Sequence, residues 1–163
     1  MPRIEYQYAF DKKYSDIPNE LETEITIIPF PPSQNIKGIK TTAIWDTGAT
    51  HSSLSPKIAK GLGLKPIDYI IVRGVHSSEK AEVVIATISL PNGLSLTDRR
   101  FSVCEIPGTD ALIGMDIIKM GDFAISNGGG ETLFSFAIPP FDEKISFKEK
   151  ADAFNTRYSG SKL

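Results

Sequence analysis

The sequence predicts one mostly β domain, folded as a barrel or a sandwich. Short segments rich in β-branched and aromatic residues recur along the 163-residue chain. Pro, Gly and Asn separate these segments at fairly regular intervals, which is typical of strands joined by turns. Only short segments carry the apolar spacing and the end signals of helices. A chain of this length usually forms one domain and can bury a core without disulfides or metals.

In the first half of the chain, strands are predicted on either side of a proline-rich turn. Residues 1–22 mix aromatic and charged residues without a period, so no element is predicted there. The strings EITIIPF at 24–30 and IKTTAIW at 39–45 predict two strands, with a turn at 33–38 between them. Ser55-Pro56 is a helix start signal and predicts a short helix that ends at Gly61 and Gly63.

The second half predicts hairpins around a second short helix. Strands are expected at 67–72 and 81–90, flanking a loop at 74–78 that lacks a two-residue turn signal. Pro91-Asn92-Gly93 predicts a tight type I′ turn before a strand at 100–106. Further strands are expected at 111–114, 123–126 and 132–138, with a helix at 115–120 and a turn at 127–130. Residues 148–157 could form a weakly amphipathic helix.

Charge and composition exclude several classes of protein. The net charge is −2, and Lys and Arg form no long run, so neither nucleic acid nor a membrane surface is expected as a partner. No apolar stretch approaches the roughly 20 residues that span a bilayer, and the first residues lack the apolar core of a signal peptide. Cys104 is the only cysteine, which fits a small core residue in a reducing, cytoplasmic setting.

The string Asp46-Thr47-Gly48 follows the apolar end of the strand at 39–45. Aspartic peptidases activate a water between two carboxylates that share one proton: one carboxylate takes a proton from the water, and the other donates to the substrate carbonyl. Each Asp must sit on a tight turn, where Gly permits close approach of the backbones and a Thr hydroxyl fixes the turn. The tripeptide alone fits an ordinary Asp-initiated turn equally well.

A second motif strengthens the peptidase interpretation. Residues 111–114 read Ala-Leu-Ile-Gly, and together with residues 43–49 they resemble, in order and spacing, the two motifs of retroviral-type aspartic proteases, the retropepsins. In that family the second strand packs beside the catalytic loop. The strings LIGMD at 112–116 and GDF at 121–123 are most similar to those of bacterial retropepsin-like proteins.

The resemblance covers about residues 25–138 and implies a closed acid-protease-like barrel with a flap hairpin within residues 70–84 and one or two short helices. We therefore expect an N-terminal extension at 1–23, a retropepsin-like aspartic protease domain at 24–138 and a C-terminal extension at 139–163. The C-terminal extension could add to the barrel or to a dimer interface.

Asp46 is the only one of ten Asp residues that precedes Thr-Gly or Ser-Gly. Pepsin-like enzymes carry two such motifs in one longer chain, whereas this chain must obtain its second carboxylate from another copy. A two-fold homodimer is therefore expected, and the resemblance implies that Thr47 hydrogen-bonds across the axis. Ala49 offers a methyl group where a hydroxyl could stabilise the ionised pair, which predicts a working pH nearer neutral than that of pepsin.

The expected site comprises Asp46 as the catalytic residue and Thr47, Gly48 and Ala49 as its supporting loop. Substrate contacts are expected from Thr50, His51, Arg73, Gly74, Val75, His76 and Ile113. Viral enzymes usually have acidic residues at the positions of Thr50 and His51, so the mode of peptide binding here is left open. His51 could instead cap the loop, and Arg73 and His76 could simply be solvated.

Two functions remain open from the sequence. The favoured one is an aspartic endopeptidase, and the alternative is a non-catalytic dimeric peptide-binding or scaffold module that keeps the retropepsin-like fold. His51 and His76 without carboxylate or thiolate partners fall short of a metal site, so no metal and no cofactor are expected. An intact Asp-Thr-Gly favours catalysis, because two facing carboxylates cost stability when buried together.

Overall fold

The computed structural model describes residues 6–32, 35–73 and 78–159, which form two sheets and three α-helices. The strands are β1 (Tyr8–Tyr14), β2 (Glu22–Pro29), β3 (Ile39–Trp45), β4 (Ser53–Leu54), β5 (Asp68–Arg73), β6 (Ser78–Ser89), β7 (Ser95–Val103), β8 (Ala111–Ile113), β9 (Asp122–Ser126) and β10 (Thr132–Ile138). The helices are α1 (Pro56–Gly61), α2 (Met115–Ile118) and α3 (Phe147–Ser159).

Six strands close into a barrel in the order β2-β3-β8-β4-β7-β6, and β6 pairs back onto β2. The closed, mostly β fold expected from the sequence is thus confirmed. Strand β5 lies outside the ring and pairs only with β6 in the described structure, so the β5–β6 hairpin projects from the barrel wall. Its tip, residues 74–77, lies outside the described residues.

Apolar side chains that alternate with more exposed ones along the strands fill the interior of the barrel. In β2, Ile25 and Ile27 are buried while Glu24 is exposed, as expected when successive side chains point to opposite faces. Ile88 and Leu54 are likewise wholly buried, at 0% exposure. Removing such side chains from water stabilises the fold by about 1.5–3 kcal/mol each.

The second sheet has the order β1-β10-β9. An aromatic cluster joins the two sheets, with ring centroids 4.9–6.2 Å apart: Phe10, Trp45, Phe123, Phe134 and Phe136. Trp45 belongs to β3, and its indole N–H donates to Thr23 Oγ1 over 2.8 Å. The strand that leads into Asp46 is therefore anchored on both sides.

Strand β1 was not predicted, because its residues do not alternate between apolar and polar. Only Phe10 and Tyr14 are half-buried, and the other five residues are exposed. This segment forms a strand because it pairs with β10 along its whole length, from Tyr8 opposite Ile138 to Tyr14 opposite Thr132. This pairing joins the first strand to the last one, and such a partner cannot be read from local sequence.

The turn at Pro91-Asn92-Gly93 differs from the predicted type I′. The Gly93 N–H donates to the carbonyl oxygen of Leu90 over 2.8 Å, and only Gly93 has a positive φ, of 81°. A type I′ turn needs positive φ at both central residues, whereas a three-residue loop places one αL residue after a type I turn. Pro91 explains the choice, because its ring fixes φ near −65°.

Helix α3 lies where the sequence indicated a possible C-terminal helix, and all 13 of its residues are exposed. Helix α2 is shorter than predicted: residues 119–120 form a turn after Ile118. Within the ranges that the structure describes, no helix is long and apolar enough to cross a membrane.

Candidate active site

Asp46 begins a tight loop directly after β3. Its backbone N–H donates to the carbonyl of Ile113 in β8 (2.9 Å), which extends the parallel pairing of the two strands by one bond. Its side-chain Oδ1 accepts from the N–H of Gly48 (2.8 Å), and its carbonyl accepts from the N–H of Ala49 (3.2 Å). Asp46 is half-buried, whereas Thr47 and Gly48 are exposed. The carboxylate is thus held by its own loop and remains accessible.

We define residues 46–52 as the Asp46 loop. The segment between β8 and α2 packs tightly against this loop. The N–H of Met115 donates to the carbonyl of Ala49 over 2.8 Å. A Cβ at Gly114 would lie 2.7 Å from the carbonyl carbon of His51 and 2.9 Å from the carbonyl oxygen of Ala49. Gly114 is therefore required for this approach of two backbones.

Ser52 and Asp116 form a polar clamp at the far end of the loop. Asp116 Oδ1 accepts from the N–H of Ser52 (3.0 Å), from its hydroxyl (2.7 Å) and from the N–H of Ile117 (3.1 Å). Ser52 Oγ in turn accepts from the N–H of Gly114 (3.0 Å). Ser52 is fully buried, at 0% exposure, so each of these groups has exchanged water for a protein partner.

A cleft of about 480 Å³ opens beside the Asp46 loop. Gly48, Ala49, Thr50 and His51 form one wall. Strand β5 of the projecting hairpin forms the opposite wall, and the segment from the end of β7 to Pro107 contributes Cys104, Glu105 and Ile106. The lining is largely apolar, and charged groups come from Glu105 and Arg73. The cleft can hold an extended chain between the loop and the hairpin.

A second concavity, the recess, lies on the other side of the loop and has a volume of about 440 Å³. Asp46 and Thr47 line it together with the segment before β2 and with strand β9. Two of its apolar side chains are well exposed, Ile17 at 57% and Ile125 at 41%. Asp46 therefore borders an open, partly apolar surface.

The structure places the predicted substrate-contact residues as follows. Thr50, His51 and Arg73 line the cleft. Gly74, Val75 and His76 fall at the hairpin tip, outside the described residues. Ile113 requires a correction: its side chain is 0% exposed, and the neighbouring Leu112 lines the cleft instead. Successive strand residues face opposite sides, and the sequence did not tell which of the two faced inward.

Sequence reasoning missed Ser52 and Asp116 as supports of the loop, and it placed Cys104 in the core although it is half-buried at the cleft. Asp116 belongs to the LIGMD string, but nothing local indicated that its partner lies 64 residues away. In the ranges covered, no three His, Cys, Asp or Glu side chains group as a metal ion would require.

Comparison with protein families finds one matching family model, described as "gag-polyprotein putative aspartyl protease". The match covers residues 33–120, more than half of the chain, and includes both the Asp46 loop and the strand β8 that pairs beside it. A comparison with curated proteins finds no match.

Two solved structures are similar to this chain at low sequence identity. A retropepsin-like aspartic protease from Rickettsia conorii is 15% identical, with a TM-score of 0.54 over 82% of this chain and 96% of that chain. The EIAV protease complexed with the inhibitor HBY-793 is 21% identical, with a TM-score of 0.47 over 61% of this chain and 86% of that chain. The Rickettsia structure supports a retropepsin-like fold for this chain.

Proposed function

Because the chain belongs to the gag-polyprotein aspartyl protease family, we propose that it is an aspartic endopeptidase that acts as a homodimer. The observation that carries the proposal is the placement of Asp46. Its carboxylate sits on a loop that is fixed at both ends. Asp46 itself lines the open recess, and Gly48 to His51 of the same loop line the cleft. One chain supplies one such carboxylate, and the reaction needs two.

The reaction is a general acid–base hydrolysis in which the protein forms no covalent bond to its substrate. A water lies between the two Asp46 carboxylates, one ionised and one protonated. The ionised carboxylate takes a proton as the water oxygen attacks the scissile carbonyl carbon, and the protonated carboxylate donates to the carbonyl oxygen. The carboxylate that received the water proton then donates it to the amide nitrogen, and the C–N bond breaks to release the amine. The other carboxylate takes a proton from a hydroxyl of the tetrahedral intermediate, so that the pair again shares one proton.

The recess beside Asp46 supports a second chain at this position. Thr47 is exposed on the loop, and Ile17 and Ile125 leave apolar area open around it. In a two-fold arrangement these residues would meet their own copies or each other, as an isologous interface requires. Thr47 would then hydrogen-bond across the axis and hold the two loops together.

We propose that the cleft holds the substrate as an extended peptide. Thr50 and His51 would contact it from the loop, and Arg73 from the β5–β6 hairpin, which acts as the flap. Gly74, Val75 and His76, at the flap tip, complete the proposed contacts. Closure of the flap would exclude bulk water and strengthen the electrostatic interactions of the reacting groups. No cofactor is required, and we propose a cytoplasmic setting.

A second candidate function is a non-catalytic peptide-binding module. It is favoured by Thr50 and His51, which line the cleft at positions where viral enzymes usually carry acidic residues. Such a module would keep the cleft and the dimer but would not depend on the ionisation of Asp46.

A peptide-library digest distinguishes the two functions. The wild type, Asp46→Asn and a control Asp98→Asn are incubated with the same library, and the products are identified by mass spectrometry. Asp98 is an exposed residue of β7 with a φ of 55°, a conformation that Asn tolerates. We expect cleavage by the wild type and by the control but not by Asp46→Asn. Equal product patterns from all three proteins would reject Asp46 catalysis.

A further inference from the structure

Helix α3 exposes an apolar stripe that nothing in the described part of the chain covers. Phe147, Ala151, Phe154 and Tyr158 recur at the spacing of one helix face. The three aromatic residues are exposed by 67%, 60% and 52%, respectively. An isolated helix of this length is only marginally stable in water, so the stripe needs a surface to pack against.

The border of the stripe is basic. Helical spacing places Lys150 and Arg157 along one of its edges, and the Lys150 ammonium lies 5.8 Å from the centre of the Phe147 ring. Glu149 lies on the opposite face of the helix. A surface that fits α3 should therefore combine an apolar floor with acidic sides.

A groove with this character lies on the outer face of β9 and β10, in the second sheet. Its volume is about 600 Å³. The apolar part of its lining consists of Ala124, Ala137, Phe141 and Ile145, and the acidic part consists of Asp122, Asp142 and Glu143. Neither Lys nor Arg is among the described residues that line it. The groove thus complements the stripe in both polarity and charge.

The connection between groove and helix argues against docking within one chain. Phe141 and Ile145 themselves line the groove, and α3 begins at Phe147. To place its own helix in the groove, the chain would have to reverse within Ser146. The helix of another copy has no such constraint.

The groove also adjoins the proposed dimer interface. Strand β9 separates them: Asp122 and Ala124 line the groove, whereas Phe123 and Ile125 line the recess beside Asp46. A second chain that covers the recess would therefore lie next to the groove.

We propose that α3 of each protomer docks in the groove of a second copy of this chain, so that the two C-terminal extensions hold the dimer together reciprocally. The identity of the partner rests on the proposed function. Two such contacts form in a dimer, one for each helix. If each buries the exposed area of the three aromatic residues and an equal area of groove, about 1,400 Å² is removed from water in total. This area is within the range of stable protein–protein interfaces.

Cross-linking between distinguishable chains tests the contact. One population carries Phe154→Cys on α3, and a second, of different mass through a tag, carries Ala124→Cys in the groove. Both carry Cys104→Ser. After mixing and mild oxidation, we expect a disulfide-linked species containing one chain of each mass. Thr156→Cys, on the opposite face of the helix, serves as the matched control and should not cross-link.

Charge reversal tests the same contact in solution. Lys150→Glu with Arg157→Glu should raise the dimer dissociation constant about tenfold, as measured by sedimentation equilibrium, because like charges would face each other. Adding Asp142→Lys and Glu143→Lys should restore the wild-type constant. Circular dichroism of each variant shows whether α3 is still folded.

Several outcomes would overturn the proposal. These are no disulfide between the Phe154→Cys and Ala124→Cys chains, as much cross-linking by the Thr156→Cys control as by Phe154→Cys, and a wild-type dimer dissociation constant for the Lys150→Glu, Arg157→Glu variant. The proposed function fails separately. Cross-linking by a protein that cleaves no peptide would reject the peptidase and keep the docking. Cleavage without cross-linking would reject the docking alone.

Discussion

Asp116 supports the Asp46 loop through one oxygen atom that accepts three hydrogen bonds. In Asp116→Ala, the buried N–H and hydroxyl of Ser52 lose their acceptor, which should cost about 1–3 kcal/mol of unfolding free energy. Asp116→Asn keeps an acceptor oxygen and should lose less. Denaturant unfolding and peptide cleavage of both variants check this. We expect kcat to fall more than KM changes in Asp116→Ala, and equal losses in the two variants would contradict the account.

Gly114 permits the closest backbone approach at the loop. In Gly114→Ala the new methyl group would lie 2.7–2.9 Å from backbone atoms of His51 and Ala49, which cannot rotate away as a side chain can. We expect a loss of about 2 kcal/mol or more in unfolding free energy and a displaced loop. Gly128→Ala is the control, because no atom lies within 4 Å of a Cβ built there. Similar melting temperatures for the two variants would argue against this contact.

Ala49 provides a test of the proposed pH range. Ala49→Ser introduces a hydroxyl that can donate to the ionised form of the carboxylate pair and so favour it. The acid limb of the pH–kcat profile should therefore move to lower pH in the variant. The wild type should work nearer neutral pH than pepsin does, and a wild-type optimum near pH 2 would show that this interpretation of Ala49 is wrong.

At the residue scale, the sequence indicated the Asp46 turn better than it indicated the residues that support this turn. The string Asp46-Thr47-Gly48 indicated both the turn and the candidate carboxylate, because the chemistry restricts which residues fit there. Leu112 lines the cleft in place of the predicted Ile113, because Ile113 lies on the face of this three-residue strand that points into the core. Ser52 and Asp116 meet only after β4 and β8 pair, so no local pattern marks them.

At the scale of the elements, an ion pair connects the start of α1 to the segment before β8. Ser55 caps the helix and donates to Asp110 Oδ1 (2.8 Å), and Lys57 lies 2.7 Å from Asp110 Oδ2. Hydrogen bonds from Lys57 and then from Ser55 lower the pKa of Asp110 below its usual 3.8. A lowered pKa in the folded state means that the contribution to stability is complete above the unfolded pKa and is lost as pH falls through the folded one.

The prediction for this contact concerns stability in acid. Wild type and Asp110→Asn are unfolded by urea between pH 6 and pH 2. The stability difference between them should be constant near pH 6 and should shrink as pH falls below about 3.8, because the wild-type carboxylate becomes protonated. A difference that stays constant or grows in acid would contradict the lowered pKa. Lys57 is largely exposed, so the effect should be small.

Elements with strong local patterns were predicted from the sequence, and those that depend on distant partners were not. Strands β2, β3 and β10 have apolar, β-branched or aromatic residues bounded by turn signals, and all three were expected. Strand β1 was missed, because its order comes from pairing with β10. The turn before β7 was expected in the right place, but Pro91 gives it a different type.

For the whole molecule, the closed barrel followed from many short strands and from the two motifs, and the structure confirms it. The second sheet did not follow, since it joins β1 with β9 and β10 from the other end of the chain. It also creates two surfaces that the sequence could not indicate, namely the recess beside Asp46 and the outer groove. Both are consistent with a chain that completes its site by association.

Subunit mixing tests the central claim most directly, namely that one active site contains Asp46 from two chains. Wild-type protein is mixed with a ninefold excess of Asp46→Asn under conditions of subunit exchange, and cleavage per wild-type chain is measured. If a site needs both carboxylates, random pairing leaves about one tenth of the wild-type chains in active dimers, so the specific activity should fall about tenfold. A ninefold excess of Asp98→Asn should not lower the cleavage per wild-type chain. Unchanged activity with Asp46→Asn would contradict the shared site.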